Sequence, residues 1–296
     1  MGTTQRIGTG VKNEPNWGDL NTSITSIAKA VEQIIEDEKE IEKREALEKK
    51  DKEKETDEKK IEEKEKQAKE IATKDAKTYA KLEKRRDTHV KSIFDRLIKI
   101  GGGSKSISSG QSKKIGKAGL KSSGKLVSFI SDVQRNGWDE TLKTIGIGNV
   151  NGKTVEEVLD HLKVYCGDSS VGMDEIAANN AMCEVLKELG AAAGDDYDDF
   201  KSLIEGYTEE NKLSELMTRY FGYYIFEYLS ERLEEKISQT KGEDVSTETF
   251  RQIKEYIMGR VDRINNSKPV SKIDWHGVEG KKEIEKIFES VIKIEE

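Results

Sequence analysis

The sequence predicts an all-α protein in three parts: a mobile N-terminal tail, a long charged helical stalk or hairpin, and a C-terminal helical bundle domain. Three observations predict it. Apolar residues recur at spacings of three and four, the repeat of one helix face, wherever a pattern exists. No alternating strand pattern appears in the chain. From Asp19 to Ile100 there is no Gly or Pro, so nothing in that stretch interrupts a helix.

Composition limits how these parts combine. The chain has 296 residues, of which 34% are hydrophobic and 37% charged. Soluble domains average about 45–50% and about 25%, so a single well-filled globule cannot absorb the whole chain. Charge is unevenly placed. Residues 96–131 carry eight basic residues and no acidic one, whereas residues 132–296 carry a net −14. Two cysteines, Cys166 and Cys183, make no disulfide framework and fit a reducing cytoplasm. No apolar run approaches the roughly 20 residues that cross a bilayer, and no secretory signal is visible. Arg6 stands where a myristoylation pattern needs Ser or Thr.

Residues 1–18 read as a flexible tail. Gly2, Thr3, Thr4, Gly8, Thr9 and Gly10 are too small and polar to build a core. A small residue at position 2 favours removal of Met1, which exposes the amine of Gly2. Trp17 is the large apolar group of this tail. Either it packs on the first helix or it docks in a partner's pocket, as Trp often does at binding hot spots.

Residues 19–100 read as the charged stalk. Ile24, Ile27, Ala28, Val31, Ile34, Ile35 and Ile41 share one helix face. Glu48 to Lys60 then contains no apolar residue, which disfavours a long coiled coil, whose seam needs apolar a and d positions there. Lys and Glu favour helix, and many opposite charges lie three or four apart. A fully helical 80-residue stretch would span about 120 Å. The alternative is a short hairpin whose second apolar face holds Tyr79, Val90, Ile93, Phe94, Leu97 and Ile98.

Residues 101–125 read as a basic Gly/Ser/Lys linker. A nucleic-acid contact through Lys113, Lys114, Lys117 and Lys121 is the less favoured reading, since clustered lysines gain affinity by releasing phosphate counterions. The segment has no aromatic residue to stack a base and no phosphate-binding loop motif.

Residues 126–296 read as an acidic helical domain. A helix through Leu126, Phe129, Ile130 and Val133 stops at Gly137. Thr154 and Glu157 form a capping box ahead of a helix that ends at Gly167. A further helix over Met173–Leu189 closes at Gly190. Thr208 caps a long helix whose apolar residues run from Leu213 to Ile237, the strongest periodicity in the chain and the expected central core helix. Phe250 to Ile264 mark the next helix. A loop with Pro269, Trp275 and Gly277 leads to a last helix carrying Ile284, Ile287, Phe288 and Val291.

Catalytic patterns are sparse. His89, His161 and His276 are the only histidines, and with Cys166 and Cys183 they lack zinc-ligand spacing. Asp195, Asp196, Asp198 and Asp199 do not fit an EF-hand loop and read as a solvated loop before a helix. His276 beside Asp274 and Glu279 lies in a loop better explained by Trp275 as an anchor. No nucleophile elbow, dinucleotide fingerprint or kinase signature occurs. The chain reads as non-catalytic, with no metal and no cofactor.

Several stretches together carry a resemblance. They are the start Met1-Gly2-Thr3-Thr4, KAGLK from Lys117, LVSFISDV over 126–133, GIGNVNG over 146–152, VEEVLD from Val155, and DEIAANNAM from Asp174. In this order they resemble the QatB family, the B component of the bacterial Qat anti-phage defence system. The likeness covers the tail and much of residues 117–240 and leaves the charged stalk outside. It implies three partners: an ATPase, a homologue of the 7-deazaguanine-forming enzyme QueC, and a TatD-like nuclease. It also implies that the QueC-like enzyme modifies the N-terminal glycine, here Gly2, and reads Thr3 and Thr4. Relatives usually start Met-Gly-Thr-Ser and carry a Pro/Gly-rich tether. Thr4 keeps the hydroxyl of that pattern, and a Lys/Glu helix former replaces the tether.

The expected function is thus a non-catalytic, cytoplasmic defence component whose helical domain docks partner proteins, with no membrane role. The alternatives are a helical scaffold that self-associates through 19–47 and 79–98, or a nucleic-acid adaptor using the basic 96–131 segment. Against the adaptor stands the net −14 body, which repels phosphate.

Overall fold

The computed structural model describes residues 22–33, 35–36, 39, 80, 84, 88–148, 152–169, 172–207, 212–267, 275 and 277–293. Gly2, Thr3, Thr4 and Trp17, the Lys/Glu run over 48–60, Thr208, Pro269 and His276 lie outside the described residues. Among those described, every regular element is a helix. None is long and apolar enough to cross a membrane.

The helices are α1 (residues 22–33), α2 (residues 88–100), α3 (Ser104–Ser108), α4 (Lys117–Asn136), α5 (Trp138–Thr144), α6 (Val155–Cys166), α7 (Met173–Ala193), α8 (Tyr197–Gly206), α9 (Lys212–Lys241), α10 (Glu243–Ser267) and α11 (Val278–Ile292). The periodic stretch from Leu213 to Ile237 becomes α9, about 45 Å long at 1.5 Å per residue. It is the hub: α4, α7, α10 and α11 all pack on it. Its Tyr220, Phe221, Tyr223 and Tyr224, within five residues, are buried, so the helix is covered on more than one face. Phe221 stacks on Phe288 of α11 at 4.2 Å between ring centres, and Tyr224 meets the same ring edge-on at 5.6 Å.

A second aromatic cluster joins α4, α5 and α8. Trp138 is buried with Phe129, Tyr197 and Phe200 around it at 5.9 to 6.2 Å. Its indole Nε1–H donates to the Tyr197 hydroxyl at 2.9 Å, which satisfies its polar atom inside the core. The helix ends follow local signals. Thr154 and Glu157 cap α6 reciprocally. Gly137 ends α4, its amide donating to the Val133 carbonyl at 3.0 Å. Helix α7 passes Gly190 and ends at Gly194 instead, because Ala191–Ala193 continue the helix.

The structure departs from the linker reading of 101–125. That segment contains α3 and the first turns of α4, and Ile107, Ile115 and Ala118 are buried in the core. Gly and Ser here form a packing surface rather than a flexible chain. Ser122 and Ser123 are buried, and an added Cβ on Gly119 would come within 2.7 Å of the Tyr224 ring. Small residues let α4 approach α9 closely.

The two ends of the charged stretch are also folded in. Ile24, Ile27, Ala28 and Val31 of α1 and Val90, Ile93, Phe94 and Leu97 of α2 belong to the same buried cluster as α9. Ser23 and Ser92 hydroxyls meet at 3.1 Å, and Glu32 pairs with Lys241 at the end of α9 at 2.6 Å. These contacts make α1 and α2 part of the bundle. Truncating Phe94 to Ala should therefore cost about 3–5 kcal/mol of global stability, as for a core aromatic. Urea denaturation followed by far-UV circular dichroism checks it; a change under ~1 kcal/mol would mean that α2 is peripheral.

Candidate functional site

The best-defined polar constellation sits where α3, α4, α7 and α9 meet. Gly116, the residue before α4, has φ +114°, and an added Cβ would come within 2.3 Å of the Ile107 carbonyl oxygen. Glycine is required there on both counts. Its amide donates to Asp174 Oδ1 at 3.0 Å and to the Tyr224 hydroxyl at 2.6 Å. The Ala118 amide donates to Asp174 Oδ2 at 2.8 Å. Tyr224 in turn donates its hydroxyl proton to Asp174. Asp174 itself lies in the first turn of α7, so one carboxylate faces the N-terminal ends of two helices. Burial first, and then the Asp174 carboxylate, push the Tyr224 hydroxyl well above its ordinary range, which keeps it a proton donor. Each reactive group here is committed to holding helices together.

The four candidate lysines divide. Lys113 and Lys117 are exposed beside this junction. The Lys114 backbone carbonyl accepts from the Tyr228 hydroxyl at 3.1 Å. Lys121 pairs with Asp168 at 2.7 Å. Lys125, also in the basic stretch, donates to the Tyr165 and Gly167 carbonyls at 2.7 and 2.8 Å, at the C-terminal end of α6. Two of the ammonium groups thus bind within the chain.

A second network, not anticipated from the sequence, runs along α7, α9 and α10. Arg219 bridges Glu188 on α7 and Asp262 on α10, at 2.5 and 2.9 Å, and the Tyr223 hydroxyl also donates to Glu188. Lys254 pairs with Glu184 at 2.5 Å and lies over the Tyr223 and Phe226 rings. Burial opposes ionisation of Glu188, but Arg219 and Tyr223 outweigh it and hold its carboxyl below the usual range. Glu184 behaves alike: burial raises it, Lys187 and Lys254 lower it, and the net is downward. By contrast, burial dominates at Glu227 and pushes its carboxyl up, with Asn180 donating to it at 3.3 Å. A cavity of about 370 Å³ opens beside this network between α7, α8 and α9, with Leu189, Leu203, Leu216, Tyr207, Lys212 and Arg219 in its wall.

The remaining candidates do not converge. His161 is exposed on α6 and His89 is half-buried on α2. No group of three or more His, Cys, Asp or Glu placed to hold a metal ion occurs among the described residues. Asp196 caps α8, accepting from the Asp198 and Asp199 amides at 2.8 and 3.0 Å, which gives the acidic cluster a local role. Cys166 is buried, and burial pushes its thiol up to about 12.

A family model described as "Qat anti-phage system associated protein QatB" matches residues 102–294, more than half of the chain. No curated protein and no solved structure matches it.

Three outcomes follow from this geometry. Asp174→Ala takes the acceptor from the Ala118 amide and the Tyr224 hydroxyl and should lower stability by about 1–3 kcal/mol, read by chemical denaturation. Near pH 8 a maleimide should label Cys183 well before Cys166, read by peptide mass spectrometry; equal rates would contradict the burial of Cys166. Glu184 and Glu188 titrate lower in the folded chain than unfolded, so their contribution is complete above the ordinary glutamate range and fades as pH falls through it. Stability should decline below about pH 4.5, and Glu188→Gln should flatten that decline in denaturation at stepped pH.

Proposed function

The chain belongs to the QatB family and is a component of the Qat anti-phage defence system; from this we propose that it acts there as a protein substrate and adaptor rather than as an enzyme. In this reading, removal of Met1 exposes Gly2, and a QueC-like partner attaches its product to that amine. Thr3 and Thr4 are read in the enzyme's cleft, and the helical body docks the remaining partners, an ATPase and a TatD-like nuclease, in the cytoplasm.

The observation that carries the reading is the family match over 102–294, joined to the small-residue start Met1-Gly2-Thr3-Thr4. A terminal amine must enter a cleft on an extended, unhindered chain, and Gly2 has no Cβ to crowd the nitrogen. The internal groups support it as well. Asp174, Tyr224, Glu188 and Arg219 are engaged between helices, and the Cys166 thiol is held protonated by burial. The self-association reading loses ground on one specific point. Ile24, Ile27, Val31, Val90, Ile93 and Phe94, the apolar faces it needs, are buried in this chain's own core.

Co-expression with the QueC-like partner and intact-mass analysis tests the proposal. The expected result is a mass increase confined to the N-terminal peptide and sharply reduced in Gly2→Val. An unmodified N-terminal peptide in cells that the system protects would overturn it.

A further inference from the structure

Helix α1 is built like a ligand for the rest of the bundle. Ser23, Ile24, Ile27, Ala28, Ala30 and Val31 are buried, whereas Thr22, Lys29 and Gln33 are exposed. Ile24, Ile27, Ala28 and Val31 follow at i, i+3, i+4 and i+7, the spacing with which an amphipathic helix enters a groove. Polar contacts fix both ends of this face. The Ser23 hydroxyl meets Ser92 of α2 at 3.1 Å, 69 residues away in sequence. Glu32 pairs with Lys241, the last residue of α9, at 2.6 Å and 209 residues away. The apolar face joins the same buried cluster as Val90, Ile93, Phe94 and Leu97 of α2 and Ile237 of α9.

The backbone link from α1 to α2 contributes little to this. It runs through residues 34–87, a stretch whose middle, Glu48 to Lys60, has no apolar residue. Such a link adds local concentration and no contact, and that concentration is on the order of millimolar even for a short tether. A helix as short as α1 is marginal by itself in water, so its helicity comes with its docking. What holds it is what it buries. Both α1 and α2 also lie outside residues 102–294, the stretch the family model matches, yet their apolar faces share its core.

We propose that α2 and the C-terminal end of α9 form a receptor groove for an amphipathic helix, that its occupant is this chain's own α1, and that α1 docks there as a separable ligand. The N-terminal segment then stays on the body when the chain is broken inside the charged stretch. The terminus is tied to the bundle through the side chains of α1, not through the backbone that follows it. This holds whether or not Gly2 is modified.

The test inserts a specific protease site between Asp51 and Asp57 of the full-length chain and cuts it after folding. Gel filtration at about 10 μM, far below the concentration a tether supplies, is expected to carry the N-terminal fragment with the remainder at equal stoichiometry. A dilution series then reads how tightly the fragment is held. Ile27→Ala, cut in the same way, should weaken retention at least about tenfold, as for a buried isoleucine. Glu32→Lys should weaken it about fivefold, and adding Lys241→Glu should restore it to within about twofold. A wild-type fragment that elutes by itself, or leaves the remainder aggregated, overturns the proposal. So does a fragment held equally well with Ile27→Ala, since it would then be bound somewhere else. Thermal melting before the cut shows whether Ile27→Ala has folded. Where it has not, the charge pair decides: a double exchange that fails to restore retention overturns the groove.

Discussion

The arrangement of the bundle depends on the amide of Gly116. That N–H begins α4, and it is satisfied by Asp174 from α7 and Tyr224 from α9 at once. Three helices distant in sequence are therefore fixed relative to one another by one carboxylate and one phenol. Hydrogen bonds to an ionised carboxylate are roughly twice as strong as neutral ones. Loss of Asp174 would leave the Ala118 amide and the Tyr224 hydroxyl without this acceptor, and a buried donor left unpaired costs more than a hydrogen bond gains. Only glycine fits at 116, since the Ile107 carbonyl occupies the place of a Cβ. Tyr224 then continues the connection outward, its ring against Gly119 and against Phe288 of α11.

This junction also gives the sequence likeness a physical meaning. The stretch KAGLK supplies Lys117, Ala118 and Gly119, and the stretch DEIAANNAM begins with Asp174. They lie more than fifty residues apart and meet through the Ala118 amide on Asp174, beside the bond from the preceding Gly116 to the same carboxylate. Their order and combination are what the packing of α4 on α7 requires. Asn179 of the same stretch exchanges hydrogen bonds with the backbone of Asp168 at 3.0 Å and shapes the turn between α6 and α7. These motif residues are architectural, which moves the functional question to the tail and the outer surface.

Much of the bundle was legible from sequence, and the failures share one cause. Helix α9 was plain because its apolar residues repeat without interruption from Leu213 to Ile237, and α6 because Thr154 and Glu157 announce its start. The segment 101–125 was misread because Gly and Ser mean flexibility in a linker and close approach in a helix interface. Composition alone does not distinguish the two; Tyr224 lying against Gly119 does, and it is over a hundred residues away. Helices α5 and α8 are seven and ten residues long, too short for periodicity to show, and depend on the Trp138 cluster. The Glu188–Arg219–Asp262 bridge was invisible for the same reason, since its members come from three helices.

Electrostatics then explains why a basic stretch adjoins an acidic body. In sequence, 96–131 is a run of positive charge, and such runs suggest a polyanion partner. In the fold, Lys121 faces Asp168, and Lys125 faces the carbonyls that end α6, where the helix dipole is negative. Part of the positive charge is thus matched by the acidic domain itself. A polyanion would have to compete with those internal contacts and also approach a surface of net −14, which disfavours it at any salt concentration where the field is felt. The same acidic surface suits a protein partner that carries a complementary basic face, because charge complementarity speeds encounter and selects the partner more than it adds affinity.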